Sequence, residues 1–319
     1  MSAAQGLVVG VDVGGTFTDI FVLDEAGGTA RVVKVPSTRG EEARGFMNGI
    51  ARVADGADAI GTIVHGTTVG TNALLERKVA RTGIITTAGF RDVLEMRRRD
   101  RPQTWGLRGN YEPVVPRDLR LEVEERVLAD GTVHTPVNLA QVEAAARQLL
   151  EQGCDAVCLF FVNAYANPIN EAQAAACVRA LWPNGNVTAA TEVLPEIREF
   201  ERCSTAVLNA SLQPVVGGYL TRLESDLKEN GFGGELLVVQ SNGGVMSRQT
   251  ACDVPVRTAL SGPAAGVIAC AAIARAAGFP NVVSGDMGAP RSTCRWWRTG
   301  RLRSRPRPPS ISAWWCARP

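Results

Sequence analysis

Strand and helix signals alternate along this chain, and that alternation predicts an α/β architecture in which helices cover sheets. Two observations carry the prediction. Short apolar runs rich in Val and Ile recur at residues 7–13, 60–64, 82–85 and 156–162, each bounded by glycine or polar residues as buried strands are. Between them, residues 41–54, 139–152 and 171–181 space their apolar side chains as amphipathic helices do. Ligand groups in such sheets gather beyond the strand ends, so the polar segments that follow the runs are the places to look for chemistry.

Composition narrows the function classes. With 319 residues, 45% apolar and 21% charged, the chain reads as a soluble globular protein of about two domains. A formal charge of +2 makes no case for a nucleic-acid partner. No apolar run reaches the roughly 20 residues that span a bilayer, and residue 7 enters a strand without a preceding basic and apolar leader. No membrane association and a cytoplasmic location are therefore expected. The eight cysteines are scattered, none forms a Cys-x-x-Cys pair, and only His65 and His134 accompany them. Zinc or iron–sulfur binding is not expected; the thiols read as apolar fillers.

The first element is the stretch from Leu7 to Asp19. Leu7 to Val13 reads as a strand, Gly14-Gly15 as a turn, and Ile20 to Leu23 as a returning strand, which together make a hairpin. At its tip Thr16 and Thr18 add hydroxyls, and Asp12 and Asp19 add carboxylates. Glycine N–H groups and hydroxyls suit phosphate oxygens, and a carboxylate suits the accompanying Mg²⁺; an ordinary hairpin with a polar tip is the alternative. Arg31 to Val35 reads as a third strand, closed by Pro36, and the helix over 41–54 packs Phe46, Met47, Ile50 and Val53 on the sheet. The strand Ile60–Val64 runs into His65-Gly66-Thr67-Thr68-Val69-Gly70-Thr71-Asn72, a cluster that suits either a substrate site or a helix N-cap. A helix with Leu74 and Leu75 and a strand from Thr82 follow.

Residues 91–101 are strongly basic, read as a solvated helix face or as arginines for an anion, and 102–120 read as a connecting loop. A hairpin over Val123–Val133, a helix over 139–152, a strand over 156–162, a helix over 171–181 and a strand over 187–190 complete a first domain, residues 1–190. From Thr191 the pattern predicts helices over 195–212 and 217–228, a strand over 236–240 and an alanine-rich helix from Ser261 to Ala277. A strand from Val282 then enters Gly285-Asp286-Met287-Gly288 and closes a second segment, residues 191–288.

The segments Gly10–Asp19, His65–Leu75, Thr86–Glu95, Glu192–Leu208, Gln240–Gly244 and Leu260–Gly266, in this order, resemble the hydantoinase A / 5-oxoprolinase family, which includes the acetone carboxylase β subunit. The hairpin alone would not distinguish it from sugar kinases. The resemblance implies an actin-like ATPase fold of ribonuclease-H-like domains, here a first domain plus an incomplete second. It implies ATP and Mg²⁺ as cofactors, with Asp12, Gly14, Gly15, Thr16 and Thr18 as the first phosphate loop and Asp286 and Gly288 beginning the second. Asp12 and Asp19 would serve the metal, and His65, Thr67 and Thr68 would position a cyclic amide, a hydantoin or 5-oxoproline. A B-type subunit is the implied partner. The alternatives are a sugar-kinase-like phosphotransferase and a non-catalytic fragment that docks the B subunit.

The family pattern stops at Ala289. Residues 289–319 hold eight arginines and four of the six tryptophans, with no Asp, Glu, Lys or Val and no strand or helix periodicity. Tryptophan has a single codon, so Trp296-Trp297 requires TGGTGG, and a shifted frame with GC-rich neighbours encodes Val-Val-Glu-Asp-Gly through residue 300. The expectation is a frameshifted, aberrant basic tail, an unpaired strand near Val282 and no hydrolase activity in this polypeptide.

Overall fold

In the computed structural model, residues 6–14, 16–37, 42–53, 56–98, 112–288, 291–298 and 301–303 are described. The chain opens with the strands β1 (Leu7–Val13), β2 (Phe17–Asp24) and β3 (Thr29–Pro36), then α1 (Glu42–Val53), β4 (Ile60–Thr67) and α2 (Val69–Glu76). Next come β5 (Thr82–Thr87), the single turn α3 (Val93–Met96), β6 (Arg120–Val123), β7 (Arg126–Val127) and β8 (Val133–Thr135). They lead to α4 (Leu139–Glu151), β9 (Ala156–Phe160), α5 (Ile169–Leu181), β10 (Val187–Ala189) and α6 (Ala190–Val193). The long helix α7 (Glu199–Glu229) precedes β11 (Glu235–Val239), β12 (Val245–Ser247), α8 (Arg248–Asp253), α9 (Ser261–Ala276), β13 (Val282–Gly288), β14 (Arg291–Arg298) and β15 (Arg301–Arg303).

Two compact units result. The first combines Met1–Asn72 with Val216–Pro308, and the second is built on Ala73–Val215. The chain passes from one to the other inside α2 and returns inside α7.

The first unit holds a sheet in the order β12-β11-β4-β1-β2-β3. β1 pairs antiparallel with β2 and parallel with β4, and β4 pairs parallel with β11. Successive side chains of a strand point to opposite faces, and here the faces differ sharply. Val9, Val11, Val13, Ile20, Val22, Val35 and Ile63 are buried, as are Phe46, Ile50 and Val53 of the covering helix α1. On the other face of β2 and β3, Phe17, Phe21 and Val32 are exposed. A second antiparallel meander, β13-β14-β15, repeats the connectivity of β1-β2-β3.

The second unit carries the parallel sheet β10-β9-β5-β6. Every residue of β5 and β9 is buried, as expected of parallel strands covered on both faces. Where β9 ends, three consecutive backbone N–H groups leave the ladder and each finds a side chain: Phe161 N–H donates to Glu171 (2.9 Å), Val162 N–H to Thr87 Oγ1 (2.9 Å) and Asn163 N–H to Glu199 (2.9 Å). Arg202, fully buried, joins these carboxylates by donating to Glu199 and to Phe161 O (2.8 Å), with Nη1 3.8 Å from Glu171. Its guanidinium lies 4.8 Å from the centroid of Phe160. Burial pushes the Glu171 carboxyl above the usual carboxylate range, with its hydrogen bonds and Arg202 opposing.

Several expectations are corrected. The helices expected over 195–212 and 217–228 are one helix, α7, which begins only at Glu199 and continues through Pro214. A proline inside a helix costs about 3 kcal/mol, and burial of Leu212, Val216, Leu220 and Leu223 on either side offsets it. The basic segment is helical only over Val93–Met96, and Arg98 there pairs with Glu201; residues 99–111 lie outside the described residues. β4 runs to Thr67 and not to Val64. Residues 291–298 and 301–303 are strands despite their composition, and β13 is paired with β14 along its length, so it is not left open.

Candidate functional site

The hairpin of β1 and β2 is tighter than its sequence suggests. Gly14 N–H donates to Phe17 O (3.0 Å), so these two residues close the turn and β2 begins at Phe17. Gly15 lies outside the described residues. Thr16 is exposed, and its carbonyl accepts from Ser37 N–H (2.9 Å). Thr18 is not at the tip: strand alternation turns it into the helix-covered face, where it is fully buried with its hydroxyl 2.9 Å from that of Ser37.

Asp12 and Asp19 take the opposite face. They are direct partners across β1 and β2, Gly66 is the partner of Asp12 on β4, and Lys34 is the partner of Asp19 on β3. Directly opposed residues share a face, so Gly66, Asp12, Asp19 and Lys34 form one transverse row. Gly66 lets the Asp12 carboxylate lie close over β4, since a Cβ added there would be 3.1 Å from Asp12 Oδ1. The Asp12 side is exposed, whereas Asp19 is ion-paired with Lys34 Nζ at 3.1 Å.

His65 and Thr67 lie within β4, on the covered face with Val11 and Val13. His65 is fully buried, with Nδ1 3.2 Å from Val11 O and Nε2 2.9 Å from Tyr219 Oη of α7. A carbonyl can only accept, so Nδ1 carries the proton and Nε2 accepts from the tyrosine. Burial lowers the imidazole pKa from 6.5 to about 4, against the small upward pull of the Val11 carbonyl. Thr67 Oγ1 accepts from Val69 N–H (3.2 Å) at the start of α2. Thr68 Oγ1 donates to Val13 O (3.1 Å) and accepts from Asn72 (3.3 Å), which pins α2 to the end of β1. The start of α9 is pinned to the same place, because Leu260 N–H donates to Thr71 Oγ1 (2.9 Å) and Ser261 Oγ to Thr67 O (3.4 Å).

The expected site residues therefore sort by face. Asp12 and Asp19 line the open face, Gly14, Thr16 and Thr68 surround the end of β1, and Thr18, His65 and Thr67 lie in the core layer. Asp286 and Gly288 lie in β13, opposite Thr293 and Arg291. Gly66 lies inside the cluster read as a substrate site or N-cap without a role of its own, and Lys34 and Tyr219 have no local signal, because their places depend on pairing with distant elements.

The hydantoinase/oxoprolinase N-terminal region matches residues 8–182, and the hydantoinase/oxoprolinase model matches residues 202–292. The chain belongs to the hydantoinase/oxoprolinase family. Caprolactamase subunit alpha of Pseudomonas jessenii is 36% identical over 291 residues, covering 88% of this chain and 42% of that protein. The crystal structure of the ATP-dependent caprolactamase from the same organism superposes with a TM-score of 0.80 at 34% identity, over 91% of this chain and 43% of that one. Nucleotide-free acetone carboxylase, from a study of ATP-dependent acetone carboxylation, gives 0.80 at 26% identity over 93% and 44%. The fold is thus of the actin-like ATPase type, and the chain spans about two fifths of the length of these relatives.

The hairpin of this family member can be asked whether it fits a magnesium–nucleotide pair. Mg²⁺ takes one or two carboxylates and completes its shell with water and phosphate oxygens. Among the described residues no three His, Cys, Asp or Glu side chains come together, so a protein-only cage is not the arrangement here. One exposed carboxylate, Asp12, which the absence of a side chain at Gly66 leaves uncrowded, fits the magnesium pattern.

Proposed function

We propose that this chain is the nucleotide-binding part of an ATP-dependent hydrolase subunit acting on a cyclic amide of the hydantoin or 5-oxoproline type. The observation that carries the reading is Asp12, exposed at the end of β1 with its carboxylate lying over Gly66, where a side chain would crowd it. ATP-dependence in the caprolactamase and acetone carboxylase relatives supports it. Bound ATP would supply the phosphoryl group, whose transfer to the amide oxygen with ADP leaving would open the carbonyl carbon to attack by water. Asp12 orients Mg²⁺, and the backbone at Gly14, Gly15 and Thr16 meets the terminal phosphate. Thr18 supports the tip through Ser37. Thr68 and Thr67 set the start of α2 beside it, and His65 holds β1 from the core side. Asp286 and Gly288 begin the second phosphate loop. A B-type subunit is the partner we propose, in keeping with the relative named as a subunit alpha, and the cytoplasm is the proposed location.

Because the chain spans about two fifths of its relatives, we propose that it binds Mg-ATP and does not turn over substrate alone. Calorimetry with Mg-ATP should show binding that Asp12→Ala removes, and phosphate release should not rise with hydantoin or 5-oxoproline. Binding untouched by Asp12→Ala would sink the site, and amide-dependent turnover would sink the inactivity.

A further inference from the structure

The row across the open face holds one side chain that this reading leaves unused. We infer that Lys34 is a nucleotide-contacting residue of the hairpin and that Asp19 is its anchor, not a second metal ligand. The inference rests on the nucleotide reading above. Asp12 and Asp19 are direct cross-strand partners, and like charges so placed repel unless something neutralises them. Lys34 does so from the next strand. It is opposite Asp19 in the ladder, its Nζ is 3.1 Å from Asp19 Oδ1, and it also lies 5.1 Å from the centre of the Phe17 ring. The ion pair and the ring fix the ammonium on the face that carries Asp12, one row from the tip.

Two consequences follow. A divalent ion placed on Asp19 would meet the Lys34 charge at close range, so Asp12 alone of the two carboxylates suits the metal. Lys34 keeps 57% of its side-chain surface exposed, and an ammonium has three donors. With one carboxylate partner it retains donors for an anionic oxygen, and a polyphosphate held at the tip brings such oxygens within the same face. The ligand class is a nucleoside di- or triphosphate.

The test uses the full chain. Lys34→Met should weaken Mg-ATP binding about tenfold, the lower range for a hydrogen bond to a charged group, and Lys34→Arg should recover most of it. Electron paramagnetic resonance of Mn²⁺ in place of Mg²⁺ should show one bound ion with ATP in the unaltered chain and in Asp19→Asn, and none in Asp12→Asn. Equal Mg-ATP affinity in Lys34→Met and the unaltered chain overturns the lysine contact. Loss of Mn²⁺ in Asp19→Asn with the circular dichroism unchanged overturns the anchor role. Failure of the unaltered chain to bind Mg-ATP overturns the nucleotide reading and this inference with it.

Discussion

Acidification from pH 7.5 to pH 5 should cost this fold about 2 kcal/mol through a single side chain, His65. Its imidazole is fully buried and its pKa is lowered from 6.5 to about 4. A group whose pKa is depressed on folding favours its neutral form in the native state. The unfolded chain therefore binds more protons between those two values, and stability must rise with pH across that window. The whole shift corresponds to about 3 kcal/mol, complete above pH 6.5 and lost as pH falls through 4. Burial removes the solvent that would otherwise screen the effect. Protonation hurts because it places a charge in a fully buried site: Nδ1–H already serves Val11 O, and a second proton on Nε2 would require the Tyr219 hydroxyl to turn from donor to acceptor without restoring the lost solvation.

Urea denaturation at pH 7.5 and pH 5 checks the magnitude when the chain is compared with His65→Gln, which lacks the titrating ring. Glu125 and Glu171, whose carboxyl pKa values are raised chiefly by burial, contribute in the opposite sense, with stability lost as pH rises above the normal carboxylate range. They are common to both proteins and cancel in the difference. Nuclear magnetic resonance gives a second readout, because the chain holds two histidines. One imidazole should stay neutral to near pH 4 as the Nδ1–H tautomer. Two histidines titrating near pH 6.5, or equal pH slopes for the chain and His65→Gln, would refute the reasoning.

Arg202→Leu should destabilise the chain by about 3–5 kcal/mol, since it strands the Glu171 and Glu199 carboxylates; a urea midpoint shift equivalent to less than about 1 kcal/mol would show that the network relaxes or holds water. Gly66→Ala should change the melting temperature little, because the added Cβ meets a flexible side-chain end 3.1 Å away. It should nevertheless displace Asp12 and reduce Mg-ATP affinity several-fold in calorimetry. Sequencing the gene past the Gly288 codon should reveal a shifted open frame reading Val-Val-Glu-Asp-Gly across codons 296–300; stop codons scattered through that frame would leave the tail as an authentic end of the protein.

The α/β class and most elements were legible because periodicity is local: residues 139–152 read as a helix and α4 is Leu139–Glu151, and the apolar run at 156–162 contains β9. What was not legible depends on partners far away in the chain. Thr67 and His65 were read as lying beyond a strand because β4 loses its apolar signal at His65, yet pairing with Val11 and Val13 extends it. The knot at the end of β9 draws Thr87, Glu171 and the α7 pair Glu199 and Arg202 from three separate stretches, and nothing in any one of them announces it. The continuous α7 is the same lesson, since Pro214 is a local stop signal that buried leucines on both sides override.

The site turns on register more than on composition. Asp12, Thr16, Thr18 and Asp19 all suit a phosphate loop by chemistry, and the register of β2 on β1 decides among them. A returning strand that starts at Phe17 sets odd positions on the open face and even positions in the core, so Asp19 joins Asp12 while Thr18 is buried with Ile20. Slipping the hairpin by one residue would exchange every such assignment at once. The close that prevents this is the bond from Gly14 N–H to Phe17 O, seconded by Ser37 N–H on Thr16 O. Lys34 inherits its place from the same constraint, through the register of β3 on β2. Lengthening the tip by one glycine between residues 15 and 16 is therefore a sharper challenge to the site than removing any one hydroxyl. If the strands re-pair across the longer tip, Asp19 and Lys34 leave the open face together. Mg-ATP affinity should then fall by more than in Lys34→Met, and affinity retained at the level of the unaltered chain would mean that register does not govern the site.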